Sequence, residues 1–205
     1  MKNKLVYSVG INDADYRVVE RITVGYEDGK QKQKLAWMCP FYQRWVNMLK
    51  RCYSEMYHKR HPSYKNCYVC QEWLTFSNFK RWVEKENWKD KHLDKDILFP
   101  GNKVYSPETC VFVDAKVNTF LTECNASRGK YMIGVHWNKR EKKFQALCSD
   151  VLKRKHLGYF DTELEAHKAW LEFKLKLACQ LASEQSDPRI AKALIERYTN
   201  YKSGG

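Results

Sequence analysis

The chain has no run of apolar residues approaching the roughly 18 that a membrane-spanning helix needs. Its first ten residues, MKNKLVYSVG, hold no sustained apolar segment of the kind that opens a secretory leader. These two absences exclude a membrane span and a signal peptide from the expectation and leave a reducing cytoplasm as the expected location. There the 8 cysteines are expected as thiols or metal ligands rather than disulfides. Acidic residues are also scarce: 24 Asp and Glu against 37 Lys and Arg give a formal net charge of +13. A chain this basic is expected to meet a polyanionic partner and no membrane. A second CxxC motif is missing as well. Cys67-Tyr68-Val69-Cys70 stands alone, which excludes a zinc site of two such pairs. A zinc set built on Cys67, Cys70 and Cys110, with His58, His61 or Cys39 to complete it, remains open. So does a group of reduced, partly buried thiols.

What is present suffices for packed cores. Hydrophobic residues make up 43% of 205 residues, enough for one large domain or two small ones. The 7 Trp, 13 Tyr and 9 Phe are interleaved with the basic residues, a composition that favours nucleic acid. Residues 1–36 are expected to form an extended arm, with short strands at 16–19 and 21–24. A turn is expected at Glu27-Asp28-Gly29. The basic run from Lys30 to Lys34 reads as a solvated loop or a phosphate-contacting arm. Cys39-Pro40 opens a segment in which Trp45, Met48, Leu49 and Cys52 fall at i, i+3, i+4 and i+7, the stripe of a helix packed on a core. Lys50 and Arg51 beside it are expected to be exposed. Residues 57–66 form a basic, aromatic loop. Ser77 is the expected N-cap of a second helix, with Phe76, Phe79, Trp82 and Val83 at helical spacing.

The stretch HLDKDILFPGNKVYSPETCVFVDAKVN, from His92 to Asn118, is the most informative. An acidic block, Asp94-Lys95-Asp96, leads to a turn at Pro100-Gly101-Asn102. Val104-Tyr105 follows, then a second turn and helix opening at Ser106-Pro107-Glu108. The run from Cys110 to Val113 is β-branched and aromatic, and Asn118 falls on a helix. Two short strands and a helix would bring a carboxylate and an amide together. Those are the oxygen ligands that magnesium or manganese takes, with positions left for phosphate and water.

This stretch resembles the core of the HNH, or ββα-metal, nucleases. Phage HNH homing-type endonucleases carry an LDKDI block, a GNK turn and a YSPETC segment in the same order. The run Cys-Pro-x-Tyr-x-x-Trp-x-x-Met-Leu-x-Arg-Cys-Tyr from Cys39 resembles the front of the same family. The stretch is also similar to the active-site run of phage junction-resolving nucleases, His-Leu-Asp-His-Asp, with its metal-ligand Asp, general-base His and later Asn. The resemblance implies Asp94 and Asn118 as metal ligands, Lys95 at the base position and His92 at the first His. Lysine is a departure, because at an ordinary pKa of about 10.4 it is a poor base. Lys95 as an electrostatic clamp or unusual base, Asp96 or His92 as base, attack by metal-bound hydroxide, and a chain that binds DNA without cutting it all remain open.

Beyond a linker at 121–129 the pattern changes. Residues 131–137, 143–148 and 153–160 read as strands. Asp161-Thr162 caps a helix with Ala166, Ala169, Trp170 and Phe173 on one face, and Thr162 with Glu165 fits a capping box. Gly134-Val135, Lys143-Phe144-x-Ala146 and Leu157-Gly158-x-Phe160-Asp161-Thr162-x-x-x-Ala166 resemble the plant Apetala-2/ERF DNA-binding domain. That implies a sheet entering the major groove of double-stranded DNA. His136, Asn138, Arg140, Lys143, Gln145, Lys153 and Lys155 would face the duplex. His136 stands where that family has an arginine, so no target sequence is carried over. A last helix is expected from Asp187-Pro188 to Tyr198, with a frayed tail.

The expected fold class is therefore α+β, a ββα-metal (HNH) nuclease core followed by a three-stranded sheet with a helix. The expected domains are 1–36, an N-terminal arm; 37–126, the HNH nuclease; 127–182, the Apetala-2/ERF-like module; and 183–205, a helix and tail. The expected function is a metal-dependent, site-specific DNA endonuclease, a phosphodiester hydrolase acting as a monomer, in the bacterial host cytoplasm if phage-encoded. The alternative is a nuclease-derived DNA-binding protein that no longer cleaves.

Overall fold

Helix α1 (Pro40–Tyr53) is the centre of the first of two units, residues 1–112 and 113–205, into which the chain divides. The computed structural model describes residues 5–121, 130–149 and 154–201 and is of the α+β class, with small sheets. Pro40 sits at the first helical position, where no N–H is needed. Trp45, Met48, Leu49 and Cys52 are buried along one stripe, as their spacing predicts. Trp45 is wholly buried, and its Nε1 donates to the Trp73 carbonyl at 2.7 Å, so its one polar atom is satisfied. Helix α2 (Glu55–Arg60) follows, capped by the Ser54 side chain. Helix α3 (Phe76–Val83) buries Phe76, Phe79 and Val83, and its N-cap is Thr75 rather than the expected Ser77. Ser77 is occupied elsewhere: its N–H and hydroxyl both donate to the Asp13 carboxylate.

The extended arm expected over residues 1–36 is not what forms. Val18 is buried in the first core, and Val6, Tyr7, Val9 and Ala14 pack against it. Ile11 bridges to Thr75. The remainder makes a hairpin of β1 (Val19–Glu27) and β2 (Lys30–Met38). Its turn is where the sequence places it, with Asp28 and Gly29 both at positive φ. The basic run that reads as a loop is instead the start of β2. Lys and Gln alternate there with the period of a strand, and pairing with β1 overrides their weak strand preference.

Four short strands complete this unit: β3 (Tyr68–Val69), β4 (His92–Asp94), β5 (Val104–Tyr105) and β6 (Val111–Val113). β3 runs parallel to β5, and β4 pairs with β6. Ser106-Pro107-Glu108 is a turn only and opens no helix.

The second unit takes the last residue of β6 and helix α4 (Ala115–Leu121). Most of the expected linker, residues 122–129, lies outside the described residues. Strands β7 (Val135–Asn138), β8 (Lys143–Ser149) and β9 (Arg154–Phe160) form an antiparallel sheet in that order. Helix α5 (Glu163–Ser183) packs on it, and the Thr162–Glu165 capping box is present. Helix α6 (Pro188–Thr199) begins from Asp187 as N-cap. The first strand starts later than its sequence predicts because Gly134 turns the chain with φ +81°. A Cβ there would lie 2.1 Å from the Trp170 ring, so only glycine lets the backbone come this close.

Gly134→Ala is therefore expected to destabilise the second unit by about 3 kcal/mol, through overpacking and strained backbone together. Gly29→Ala, at φ +73° with nothing within 4 Å, is expected to cost about 1 kcal/mol, from backbone strain alone. Thermal unfolding followed by circular dichroism separates the two.

Candidate functional site

On β4, Leu93 packs against the first core. Residues i and i+2 of a strand share a face, so His92 and Asp94 point to the opposite side. His92 is exposed and Asp94 half-buried. The Asp94 carboxylate is fixed locally: its Oδ1 accepts from the backbone N–H of Asp96 and of Ile97, both at 2.7 Å. The second oxygen, Oδ2, takes no part in those two bonds. Ile97, only 4% exposed, anchors the end of this turn in the interior.

Lys95 lies at the base position of the resemblance, and it is buried, at 4% exposure. Its ammonium donates to both carboxylate oxygens of Asp96, at 2.8 and 2.7 Å, and to the Asn102 carbonyl at 2.6 Å. Three contacts use the three N–H donors of a lysine. Asn102 returns the bond: its Nδ2 donates to the carbonyls of Lys95 and Val104, and its Oδ1 accepts from Val104 N–H. The LDKDI block and the GNK turn are thus two halves of one latch. The latch closes the loop behind Asp94, with Gly101 supplying the positive φ of the turn.

Residues the sequence did not single out surround this strand. Arg51, expected to be exposed, is half-buried, and its Nη1 donates to the Leu93 carbonyl at 3.4 Å. Its guanidinium stands 5.7 Å from the centre of the Tyr64 ring and hydrogen-bonds Tyr105. Burial raises the Tyr64 hydroxyl above the usual tyrosine range, against the pull of Arg51 and Lys95; Asp94 is close enough to push it the same way as burial. Their signal was only that Arg51 interrupts a run of helix-surface residues and Tyr64 sits in a basic loop. Asn118 is exposed on α4; it belongs to the second unit and Asp94 to the first.

Cys52, Cys67 and Cys110 are buried in the first core, and Cys70 packs against it. Tyr53 ties the end of α1 to the CxxC by accepting from Val69 N–H at 3.1 Å. Burial, with Cys67 beside one of them, pushes the Cys52 and Cys110 thiols up to about 12. His58, a proposed completing ligand, is engaged instead with the Arg51 carbonyl at 2.8 Å, and the His61 ring lies against Tyr57. The thiols fit zinc in donor chemistry. No group of three or more His, Cys, Asp or Glu among the described residues is arranged to hold a metal ion. Magnesium asks for less, one or two carboxylates with water and phosphate completing the shell, and Asp94 fits that requirement.

In the second unit the register decides which side chains leave the core. Val135 pairs with Ala146 and Ala146 with Gly158, on the helix side. His136, Gln145 and Tyr159 therefore form a row across the opposite face. A register shift between Ala146 and Leu147 puts Lys155 opposite Cys148, a buried residue. Lys155 is thus displaced from its expected outward place, and its ammonium lies 4.6 Å from the centre of the Phe173 ring of α5. Arg154 and His156 stand on the open face instead, opposite Ser149 and Leu147. Asn138 is a turn residue, accepting from Arg140 and Glu141 N–H, and Arg140 projects freely at 93% side-chain exposure. Lys143 is paired with Asp161 at 3.1 Å. Lys153 lies outside the described residues. No described helix is long and apolar enough to cross a membrane.

In comparison with known proteins, no family model matches the chain, and neither a curated protein nor a solved structure does.

Two outcomes are expected from the first unit. Lys95→Met should lower stability by about 2 kcal/mol, because the half-exposed Asp96 loses its partner and Asn102 its donor; urea unfolding measures it. With iodoacetamide at pH 8, Cys179, which is exposed, should be alkylated in the native protein. Cys52 and Cys110 should react only once it is unfolded, since thiolate is the reactive form; mass spectrometry reads each site.

Proposed function

We propose that the chain is a metal-dependent, site-specific DNA endonuclease of the HNH type. The observation that supports it best is the shared face of β4, where an exposed imidazole, His92, stands beside a carboxylate, Asp94, held by two amides. Asp94 would hold a divalent cation through Oδ2, its Oδ1 being committed to the backbone. When bound, such a cation stabilises the charge that develops on the scissile phosphate and the leaving oxygen. His92 accepts the proton of the attacking water, a task that suits a neutral imidazole. Lys95 is not the base in this scheme, because all its donors are committed to Asp96 and Asn102. Asp96 in turn is spent on neutralising Lys95. Asn118 carries the amide that the resemblance assigns to the same ion.

The open face of β7–β9 would supply recognition of double-stranded DNA. Gln145 has the donor and acceptor pair that reads adenine in the major groove, and Arg154 can address guanine or a phosphate. The net charge of +13 supplies affinity independent of sequence.

A second reading, a DNA-binding protein derived from such a nuclease, is favoured by one observation. The residue where the nuclease families have their base is a buried structural cation.

The purified chain, incubated with phage or host DNA and magnesium, is expected to leave defined ends that sequencing maps. Asp94→Asn and His92→Ala should each slow cleavage at least a hundredfold, about 2.7 kcal/mol in barrier, while DNA affinity stays unchanged. Asn118→Ala tests the second ligand in the same assay. A wild-type chain that binds one duplex tightly yet cuts nothing with magnesium or manganese would establish the second reading.

A further inference from the structure

The β1–β2 hairpin stands out from the first unit. Of its two nine-residue strands, β1 is exposed at all but Val19 and Gly25, and β2 at all but Met38. A two-stranded ribbon with both faces in water is marginal on its own. This one carries exposed Ile22, Val24, Tyr26, Leu35 and Trp37 as well.

Its register argues against an apolar partner. Trp37 is opposite Glu20, Leu35 opposite Arg21, Ile22 opposite Lys34 and Tyr26 opposite Gln31. Only Val19 with Met38, at the base, is apolar on both strands. No continuous apolar strip runs along either face, and such a strip is what the buried centre of a protein interface would need.

The polar residues are sorted instead by face. Within β2 the stretch from Lys30 to Lys34 carries no irregularity on its own strand, so Lys30, Lys32 and Lys34 line one face and Gln31 and Gln33 the other. Thr23, opposite Gln33, belongs to the glutamine face. Successive residues of one face are about 6.8 Å apart, two steps of the roughly 3.4 Å at which phosphates repeat along one DNA strand. Gly25, opposite Lys32, leaves that lysine unobstructed by a cross-strand side chain. The hairpin's acids are Glu20 near the base and Glu27 and Asp28 at the tip, and the one ion pair, Lys32 with Glu27 at 3.1 Å, is exposed and weak.

We infer that the β1–β2 hairpin is a second DNA-recognition element, a ribbon that enters the major groove with Gln31, Gln33 and Thr23 toward base edges and Lys30, Lys32 and Lys34 toward phosphates. A two-stranded ribbon fits a groove about 12 Å wide, and glutamine reads adenine there with two hydrogen bonds. The two register irregularities, at Glu20/Arg21 and Thr23/Gly25, add the twist that lets a ribbon follow a helical groove. The inference rests on the DNA-binding reading and adds to it a contact surface outside the second unit.

The test uses the full chain and fluorescently labelled genomic fragments, with affinity measured across salt concentrations. Replacing Lys30, Lys32 and Lys34 together by Ala is expected to flatten the log–log salt slope by about 2.7, at about 0.9 per phosphate contact. Gln31→Ala with Gln33→Ala is expected to keep the slope and shift the sequences recovered by selection from a random pool. All five side chains are exposed, so thermal midpoints should match wild type. If wild type binds with a salt-dependent affinity and the triple-lysine variant has the same slope, the ribbon is not a DNA contact and the DNA-binding reading survives. If wild type shows no salt-dependent binding, both fall. If wild type is a dimer by sedimentation and the ribbon variants are monomers with unaltered DNA binding, the ribbon joins two copies of the chain and the inference is overturned.

Discussion

A buried ammonium organises the first unit's candidate site. Lys95 sits in the interior with one carboxylate and one carbonyl as partners, and a charge so placed is tolerated only while those partners stay. Holding them requires the loop from Asp94 to Val104 to close on itself, which Asn102 does with three hydrogen bonds of its own. The closed loop turns two amides toward Asp94. The orientation of the one carboxylate that could meet a cation is thus inherited from a residue that points away from it. A short sequence block that resembles a catalytic run has, in this chain, a structural half and a chemical half interleaved: Lys95 and Asn102 hold, and His92 and Asp94 face outward.

The second unit shows the same division between packing and presentation. Trp170 and Gly134 fix how closely the chain before β7 approaches α5. The sheet's other face then presents whatever the register leaves there. One irregularity between Ala146 and Leu147 exchanges Lys155 for Arg154 and His156 on that face. An arginine fork and an imidazole offer more directional hydrogen bonds than an ammonium does. The proposed recognition surface therefore differs in chemistry from the one that strict alternation would give.

The two proposed DNA surfaces are of different kinds. The β7–β9 face is backed by a helix and a core, so its side chains start from a fixed frame. The β1–β2 ribbon has no such backing, and ordering it against a duplex costs entropy that its contacts must exceed. A fixed frame favours discrimination among base sequences, and an unsupported ribbon with a lysine row favours sequence-independent affinity.

Much was legible in the sequence. The Trp45, Met48, Leu49 and Cys52 stripe, the capping box at Thr162 and the helix from Asp187 are local patterns, set by periodicity and by hydrogen bonds spanning three or four residues. The three strands of the second unit were legible for the same reason, apart from the start of the first, where a close approach to Trp170 intervenes. The hairpin was not, because alternating Lys and Gln has weak strand preference and becomes a strand only through pairing with β1. Nor were the burial of Lys95 and Arg51, the thiol neighbours of Cys52 and the side of the sheet that Lys155 occupies. Each of these depends on partners distant in sequence or on one register shift. By itself the sequence determined which segments carry a periodic apolar face and where their ends are capped. Only the tertiary structure decided which polar side chains those faces enclose and which they leave to solvent, because burial of a charge is settled by the partners that folding brings to it and not by its neighbours along the chain.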